Sequence, residues 1–319
     1  MVHVLDTKSV HQLVNIPDLI EALRAGYLRG GQIAPRQQHV VRETPPAILL
    51  TMAAWAEDCV RVVKIMSANP ANAVRNMPTS EELVTIFDSD TGLLRAIVAS
   101  PALTNLRTAA TSALAASYLA PSNAETFLLV GTGALAPYMA RAHATVRAYE
   151  HVVVAGRALE KAERVAKELA AFLPDMAISA TTDIEDAARS ADVITVATRS
   201  EVPVIRGAWL KPDSHLDLVG AYDETMREAD REAICGGDVW IAAVAALEGH
   251  IPGDLAAPIS DGLFSLKEIK GELGELLRSP PRERERRTVF KSVGYALEDL
   301  FAADFLLSQI NRNQSTPSL

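Results

Sequence analysis

Apolar positions recur at helical spacing near the start of the chain: Leu13, Ile16, Leu19, Ile20, Leu23 and Tyr27. This periodicity predicts helix over 9–29 in two pieces, the second opened by Pro17-Asp18. Between about 33 and 100 the texture changes. Short apolar runs (HVV, AILLTMAAW, VRVVKIM, ELVTIFD, LLRAIVA) alternate with the turn signals TPP, NPAN and DSDTG. That alternation predicts an antiparallel sheet of several strands. TNLRTAATSALAASYLA, 104–120, then reads as a helix whose alanines allow close packing against a neighbour.

From 126 onward strands and helices alternate. TFLLV, HVVVAG, MAISA, DVITVAT, HLDLVG and DVWIAA are the predicted strands, with helices between several of them. Such alternation predicts a parallel sheet covered by helices on both faces. KSVGYALEDLFAADFLLSQI carries a strong apolar stripe and predicts a last helix that returns to the first domain. No internal repeat is visible, and the final STPSL is expected to fray.

Length and charge narrow the function classes. The 319 residues suit two domains at ~150 residues each. Cys59 and Cys235 are the only cysteines and form no C-x-x-C, which predicts a reducing, cytoplasmic setting. MVHVLDTKSV lacks the basic segment and apolar run of a secretory signal, and no apolar stretch reaches the ~20 residues of a membrane span. A net charge of −9 argues against a nucleic-acid partner. In PPRERERR, 280–287, acids alternate with arginines, as in a solvated surface loop. The seven histidines show no metal-ligand spacing, so no metal is expected.

The chemistry begins at FLLVGTGALAPYMARAHA. Phe127 to Val130 is a buried-strand run, and Gly131, Gly133 and Ala136 then match G-x-G-x-x-A around Thr132. The first glycine makes the tight turn, the second admits a pyrophosphate, and the small third residue lets helix and strand pack. Pro137 suits the first helical turn. A second strand, HVVVAGR, ends near Gly156, close to where a ribose-reading residue falls, ~20 residues on. Ala155, Gly156 and Arg157 stand there, with no carboxylate to take a ribose 2′-hydroxyl. Arg157 suits a 2′-phosphate, so NADPH is expected, with NADH possible. The alternative is a surface arginine at a helix start.

Three cations stand among apolar or small residues: Arg36 after Pro35, Lys64 at the end of VRVVK, and Arg107 in TNLRTAAT. Buried unpaired cations are costly, so the three together point to a shared anion, most simply a substrate carboxylate. For each alone, a structural salt bridge is an equal reading.

Taken in order, the Pro-Arg of APRQQ, VVKIMSANP, NMPTSEELVTIFDSDTG, LTNLRTAATSALAASYLA, LLVGTGA, ADVITVATRS, WLKPDSHLDLVGA, MREAD, PGDLAAPI and TVFKSVGYALEDL carry a resemblance. The chain resembles the ornithine cyclodeaminase/mu-crystallin family over nearly its whole length. The resemblance implies an α/β protein: a Rossmann-type doubly wound parallel sheet domain over 121–295, plus an α+β substrate and dimerisation domain over 1–120 and 296–319. It also implies a homodimer. By position, Arg36, Lys64 and Arg107 fall on the family's substrate-carboxylate residues. Thr79, Ala134, Leu135, Thr198 and Ser292 fall on its cofactor contacts, and Val293 on its substrate pocket.

The departures bear on function. Cyclodeaminases of this family carry an Asp where this chain has Tyr222, with Asp223 one residue later. The family's usual Gln after the glycine turn is Leu135 here, and the common Asp after the strand DVWIAA is missing. With Arg157, this favours an NAD(P)H-dependent reductase of a small imino acid such as Δ1-pyrroline-2-carboxylate. Arg36 and Arg107 would clamp the carboxylate. The nicotinamide would lie near Thr198 and Val219. Lys64 would orient or protonate the imine, its pKa lowered by neighbouring arginines. The alternatives are ornithine cyclodeamination with Asp223 as the catalytic acid, an alanine- or aspartate-type dehydrogenase, and a non-catalytic NADPH-binding protein.

Overall fold

The computed structural model describes residues 2–75, 77–249, 251–281 and 286–315. They divide into two compact units: 1–107 with 296–319, and 108–295.

The first unit holds a seven-stranded sheet: β1 (His3–Leu5), β2 (Gln32–Ile33), β3 (Gln37–Arg42), β4 (Ala47–Trp55), β5 (Arg61–Ala68), β6 (Ser80–Phe87) and β7 (Leu94–Val98). The order is β1-β7-β6-β5-β4-β2, with β3 also on β4. β1 joins β7 in parallel, whereas β4 through β7 form an antiparallel meander. Period-2 burial explains these strands. Leu50, Met52 and Ala54 on β4, Val62 and Lys64 on β5, and Val84 and Ile86 on β6 face the core.

Helices α1 (Thr7–Leu13) and α2 (Ile16–Arg29) follow β1. Asn15 caps α2 by accepting from Asp18 N, Pro17 sits in the first turn, and Gly30, at φ +82°, ends it. The apolar stripe Ile16, Leu19, Ile20, Leu23 and Tyr27 is buried. α3 (Ala102–Leu119) carries the boundary between the units, which falls after Arg107.

The second unit is an eight-stranded, wholly parallel sheet: β8 (Thr126–Val130), β9 (His151–Ala155), β10 (Ala177–Thr181), β11 (Val193–Val196), β12 (His215–Leu218), β13 (Asp238–Ile241), β14 (Gly271–Glu272) and β15 (Thr288–Lys291). Its order, β10-β9-β8-β11-β12-β15-β13-β14, reverses between β8 and β11. That reversal is the switch point of a doubly wound sheet, where ligands bind past the carboxyl ends of the strands. Helices α4 (Ala136–Val146), α5 (Leu159–Ala170), α6 (Ile184–Ser190), α7 (Arg231–Cys235), α8 (Gly253–Ser260) and α9 (Leu273–Arg278) lie between strands. β11, β12 and β15 are buried at every position, as strands covered on both faces must be.

The last segment corrects one reading. KSVGYALEDLFAADFLLSQI is not one helix. Lys291 ends β15, Gly294 turns at φ +79°, and the final helix, α10 (Ala296–Ser315), starts after it. A four-residue apolar run such as TVFK has too short a period to separate strand from helix. In PPRERERR, residues 282–285 lie outside the described residues, as do 316–319 of the tail. Arg286 donates to Asp238 Oδ1 at 2.8 Å. No described helix is long and apolar enough to cross a membrane.

Candidate functional site

The glycine turn sits at the switch point. Gly131 has φ +130°, and its N–H donates to Ala155 O at 2.9 Å. A Cβ there would lie 2.5 Å from Ala197 O, so the turn after β8 tolerates only glycine beside β11. Gly133 is exposed, with open space where a Cβ would be. Ala134 is exposed, Thr132 and Leu135 are half-buried, and Ala136 is fully buried under the sheet. No side chain caps the start of α4. Its first N–H groups therefore suit an anion, which fits a dinucleotide pyrophosphate. Gly156 packs on Thr132, and Arg157 is exposed directly after β9.

Past the ends of β11, β12 and β15, Thr198 is half-buried, while Val219 and Ser292 are buried. Val219 N donates to Val196 O at 3.1 Å, and Ser292 N to Leu218 O at 3.2 Å. Val293 packs against the apolar core of the unit. Beneath them lies a buried charge cluster that the sequence reading missed. Glu228 Oε1 accepts from Thr198 N at 2.6 Å and Thr198 Oγ1 at 3.1 Å. Its Oε2 accepts from Gly220 N at 2.7 Å and Ala221 N at 3.1 Å. Asp254 Oδ1 accepts from Glu228 N and Ala229 N. Lys291 Nζ stands 3.0 Å from Asp254 and 4.0 Å from Glu228. Burial, against the pull of Lys291, pushes the Glu228 carboxyl up to about 7.

Deeper in the same unit, Asp217 Oδ2 accepts from Ser112 Oγ and from Thr195 Oγ1, and stands 3.4 Å from His143 Nε2. All four residues are buried. Burial opposes the Asp217 charge, but the bond and charge of His143, with His215 and Ser112, hold its pKa below the ordinary value. These groups form a buried polar network within the second unit.

Two of the three predicted cations meet in the first unit. Lys64 Nζ is 3.0 Å from Glu82, 3.5 Å from Asp299 and 2.6 Å from Thr104 Oγ1, to which it donates. Arg107 donates from Nη1 to Glu298 at 2.5 Å and from Nε to Asp299 at 3.0 Å. Tyr27 Oη donates to Glu298 at 3.0 Å. Lys64 and Arg107 therefore hold carboxylates of their own chain, the salt-bridge reading open to each cation alone. The bonding partners of Lys64 are acids and a hydroxyl, and Arg107 neighbours it through the Asp299 Oδ1 that both contact. Burial works against the Arg107 charge, but Asp299 and Glu298 outweigh it and hold its pKa above the ordinary arginine value. Burial pushes the Glu298 carboxyl up, against the pull of Arg107.

Arg36, half-buried, precedes Gln37. Gln37 pairs with Thr51, and Met52 pairs with Lys64, so the register carries Arg36 toward the row of Lys64. Thr79 is half-buried, just ahead of β6. Asp223 spends its carboxylate locally: Oδ1 accepts from Thr225 N, Thr225 Oγ1 and Met226 N. That is a turn-forming role.

Sequence reading missed the acids Glu82, Glu298 and Asp299. Glu82 left a signal, since it falls on the apolar phase of SEELVTIF, in step with Val84 and Ile86. Glu298 and Asp299 interrupt the apolar stripe of α10.

A family model, "Ornithine cyclodeaminase/mu-crystallin family", matches residues 2–314. The chain is 35% identical over 294 residues, 91% of both chains, to a Delta(1)-pyrroline-2-carboxylate reductase of Paracoccus denitrificans. It is 29% identical over 315 residues to a protein of the same description from Colwellia psychrerythraea, covering 96% of this chain and 99% of that one. Among solved structures, it superposes with a TM-score of 0.92 and 25% identity on Thermococcus litoralis Delta(1)-pyrroline-2-carboxylate reductase in complex with NADH and L-proline, covering 99% of this chain and 100% of that one.

Proposed function

This chain belongs to the ornithine cyclodeaminase/mu-crystallin family, and from that premise we propose that it is a nicotinamide-dependent reductase of a small cyclic imino acid, Δ1-pyrroline-2-carboxylate or a close analogue. The observation that carries the reading is its likeness, along nearly the whole chain, to Delta(1)-pyrroline-2-carboxylate reductases. The open glycine turn at the switch point and the buried cation cluster of the first unit support the reading.

Gly131, Thr132, Gly133, Ala134 and Leu135, with the start of α4, would hold the dinucleotide pyrophosphate. Gly156 and Arg157 would take the adenosine ribose, with Arg157 favouring a 2′-phosphate and hence NADPH over NADH. Thr79, Thr198, Val219 and Ser292 would complete the cofactor contacts. The bound dinucleotide supplies a hydride to the C=N carbon.

Arg36 and Arg107 hold the substrate carboxylate. The bonds that Arg107 makes within the chain use Nε and Nη1, and the substrate meets Nη2. Lys64 orients the imine and protonates its nitrogen, with Val293 lining the pocket. Glu82 and Asp299 keep the Lys64 ammonium aimed while the ring is positioned. The family resemblance supports a homodimer, which light scattering after gel filtration reads directly.

The test is loss of reduced-nicotinamide absorbance with Δ1-pyrroline-2-carboxylate, for NADPH and NADH separately. A parallel assay offers ornithine with NAD and follows proline. Rapid oxidation with the imine and no proline from ornithine is the expected result. Proline and ammonia from ornithine would overturn it and assign Asp223 the cyclodeaminase role.

A further inference from the structure

The buried Glu228 cluster is not used by the mechanism above, yet it touches the cofactor turn through one residue. Thr198 follows β11, the strand beside β8 at the switch point. A Cβ on Gly131 would stand 3.5 Å from Thr198 Cγ2, so Thr198 borders the glycine turn. Glu228 binds Thr198 with one carboxylate oxygen and Gly220 and Ala221 with the other. Gly220 is part of the same close fit, because a Cβ there would collide with Thr198 O and approach Glu228 Oε1 to 2.5 Å.

We propose that Glu228 is a positioning residue for the dinucleotide: its carboxylate clamps the segments after β11 and β12 together, and only the ionised form holds them in the arrangement that binds the nicotinamide half. The proposal rests on the dinucleotide reading above. Its physical basis is donor and acceptor matching. Four donors converge on Glu228. An ionised carboxylate is acceptor-only and can meet all four. Protonation turns one oxygen into a donor that faces at least one backbone N–H on either side, since Thr198 Oγ1 alone can turn to accept, and one side of the clamp must open. The charged groups facing Glu228 are Lys291 from β15 and Asp254 before it in the chain, on α8. The first favours ionisation and the second opposes it. Burial adds to the opposition and places the change near neutral pH.

Gln at this position imitates the protonated form, with an NH2 group where an acceptor is needed. Equilibrium binding of NADH is the readout, followed by fluorescence without substrate. NADH is chosen because the 2′-phosphate of NADPH titrates by itself near pH ~6. In the wild type, NADH dissociation constants are expected to rise about tenfold between about pH 8.5 and about pH 5.5. Glu228→Gln, folded by circular dichroism, is expected to be flat over that range and to match the wild type's acid plateau within about twofold.

A Glu228→Gln protein with wild-type affinity and pH profile overturns the proposal, and so does a wild type with no pH dependence. Thr198→Val covers the case in which Glu228→Gln does not fold. It removes one donor to the carboxylate and is expected to move the wild-type midpoint to higher pH; an unmoved midpoint counts against the clamp. A wild type that binds neither NADH nor NADPH removes the dinucleotide reading and this proposal together. NADH binding insensitive to Glu228 removes the proposal alone.

Discussion

The two units each bury a knot of lysine or arginine and carboxylates, and the knots are built for opposite purposes. In the first unit Lys64, Arg107, Glu82, Glu298 and Asp299 bond side chain to side chain, with Tyr27 and Thr104 at the edges. Three acids share two cations through side-chain bonds. In the second unit the carboxylates of Glu228 and Asp254 grip backbone N–H groups at Thr198, Gly220, Ala221, Glu228 and Ala229. Exchange there would leave buried N–H groups unsatisfied, at ~1–3 kcal/mol each. The first knot can exchange one carboxylate for another on the same cations, as the proposed substrate role requires. The second holds main-chain segments in place while Glu228 is ionised.

The largest effect expected from breaking this contrast is at Lys291. Lys291→Met leaves Glu228 and Asp254 as uncompensated buried acids and should lower the unfolding free energy by about 3–5 kcal/mol. Urea unfolding reads it, and the loss should be larger at alkaline pH, where Glu228 is ionised. Next is Lys64→Met, which should lower kcat with the imine by about 100-fold or more if Lys64 is the acid. NADPH binding should remain within about twofold. Unchanged turnover would remove Lys64 from the mechanism.

The pH dependence of stability is a third test. The Glu228 pKa is raised from 4.5 to about 7, so between these values the folded state keeps a proton that the unfolded state has lost. Its contribution is therefore present below 4.5 and is lost as pH rises through about 7. Glu298, also raised, acts in the same direction. Asp217, held below 3.8, acts in the opposite one: its contribution is present above 3.8 and is lost as pH falls through the folded value. Thermal unfolding of the wild type and Glu228→Gln across this range should differ in slope, with the variant flatter below neutrality. The smallest effect is at Arg157. Arg157→Ala should reduce the preference for NADPH over NADH by about 10-fold, as loss of one exposed charge-assisted contact implies.

Some of this was legible before any coordinates. The change from period-2 runs in 33–100 to strand–helix alternation after 126 marks the two sheets, because one face of an antiparallel strand and both faces of a parallel strand leave different apolar patterns. Gly131, Gly133 and Ala136 announce their turn through spacing alone. Lys64 and Arg107 stood out as cations in apolar text. Their partners did not, since Asp299 lies 235 residues from Lys64 and no local pattern links the two. Lys291 was hidden more thoroughly, as the last residue of a four-residue strand and the first of the segment read as the final helix.

The sequence by itself determined the alternating elements, the position of the glycine turn and the family, since each depends on local spacing or on ordered motifs. Tertiary structure alone decided which carboxylates meet which cations, and whether a carboxylate holds a side chain or a main-chain N–H. Those pairings arise from strand order and register. The penalty for burying an unpaired charge makes them obligatory once the chain has folded, but it leaves no mark along the chain.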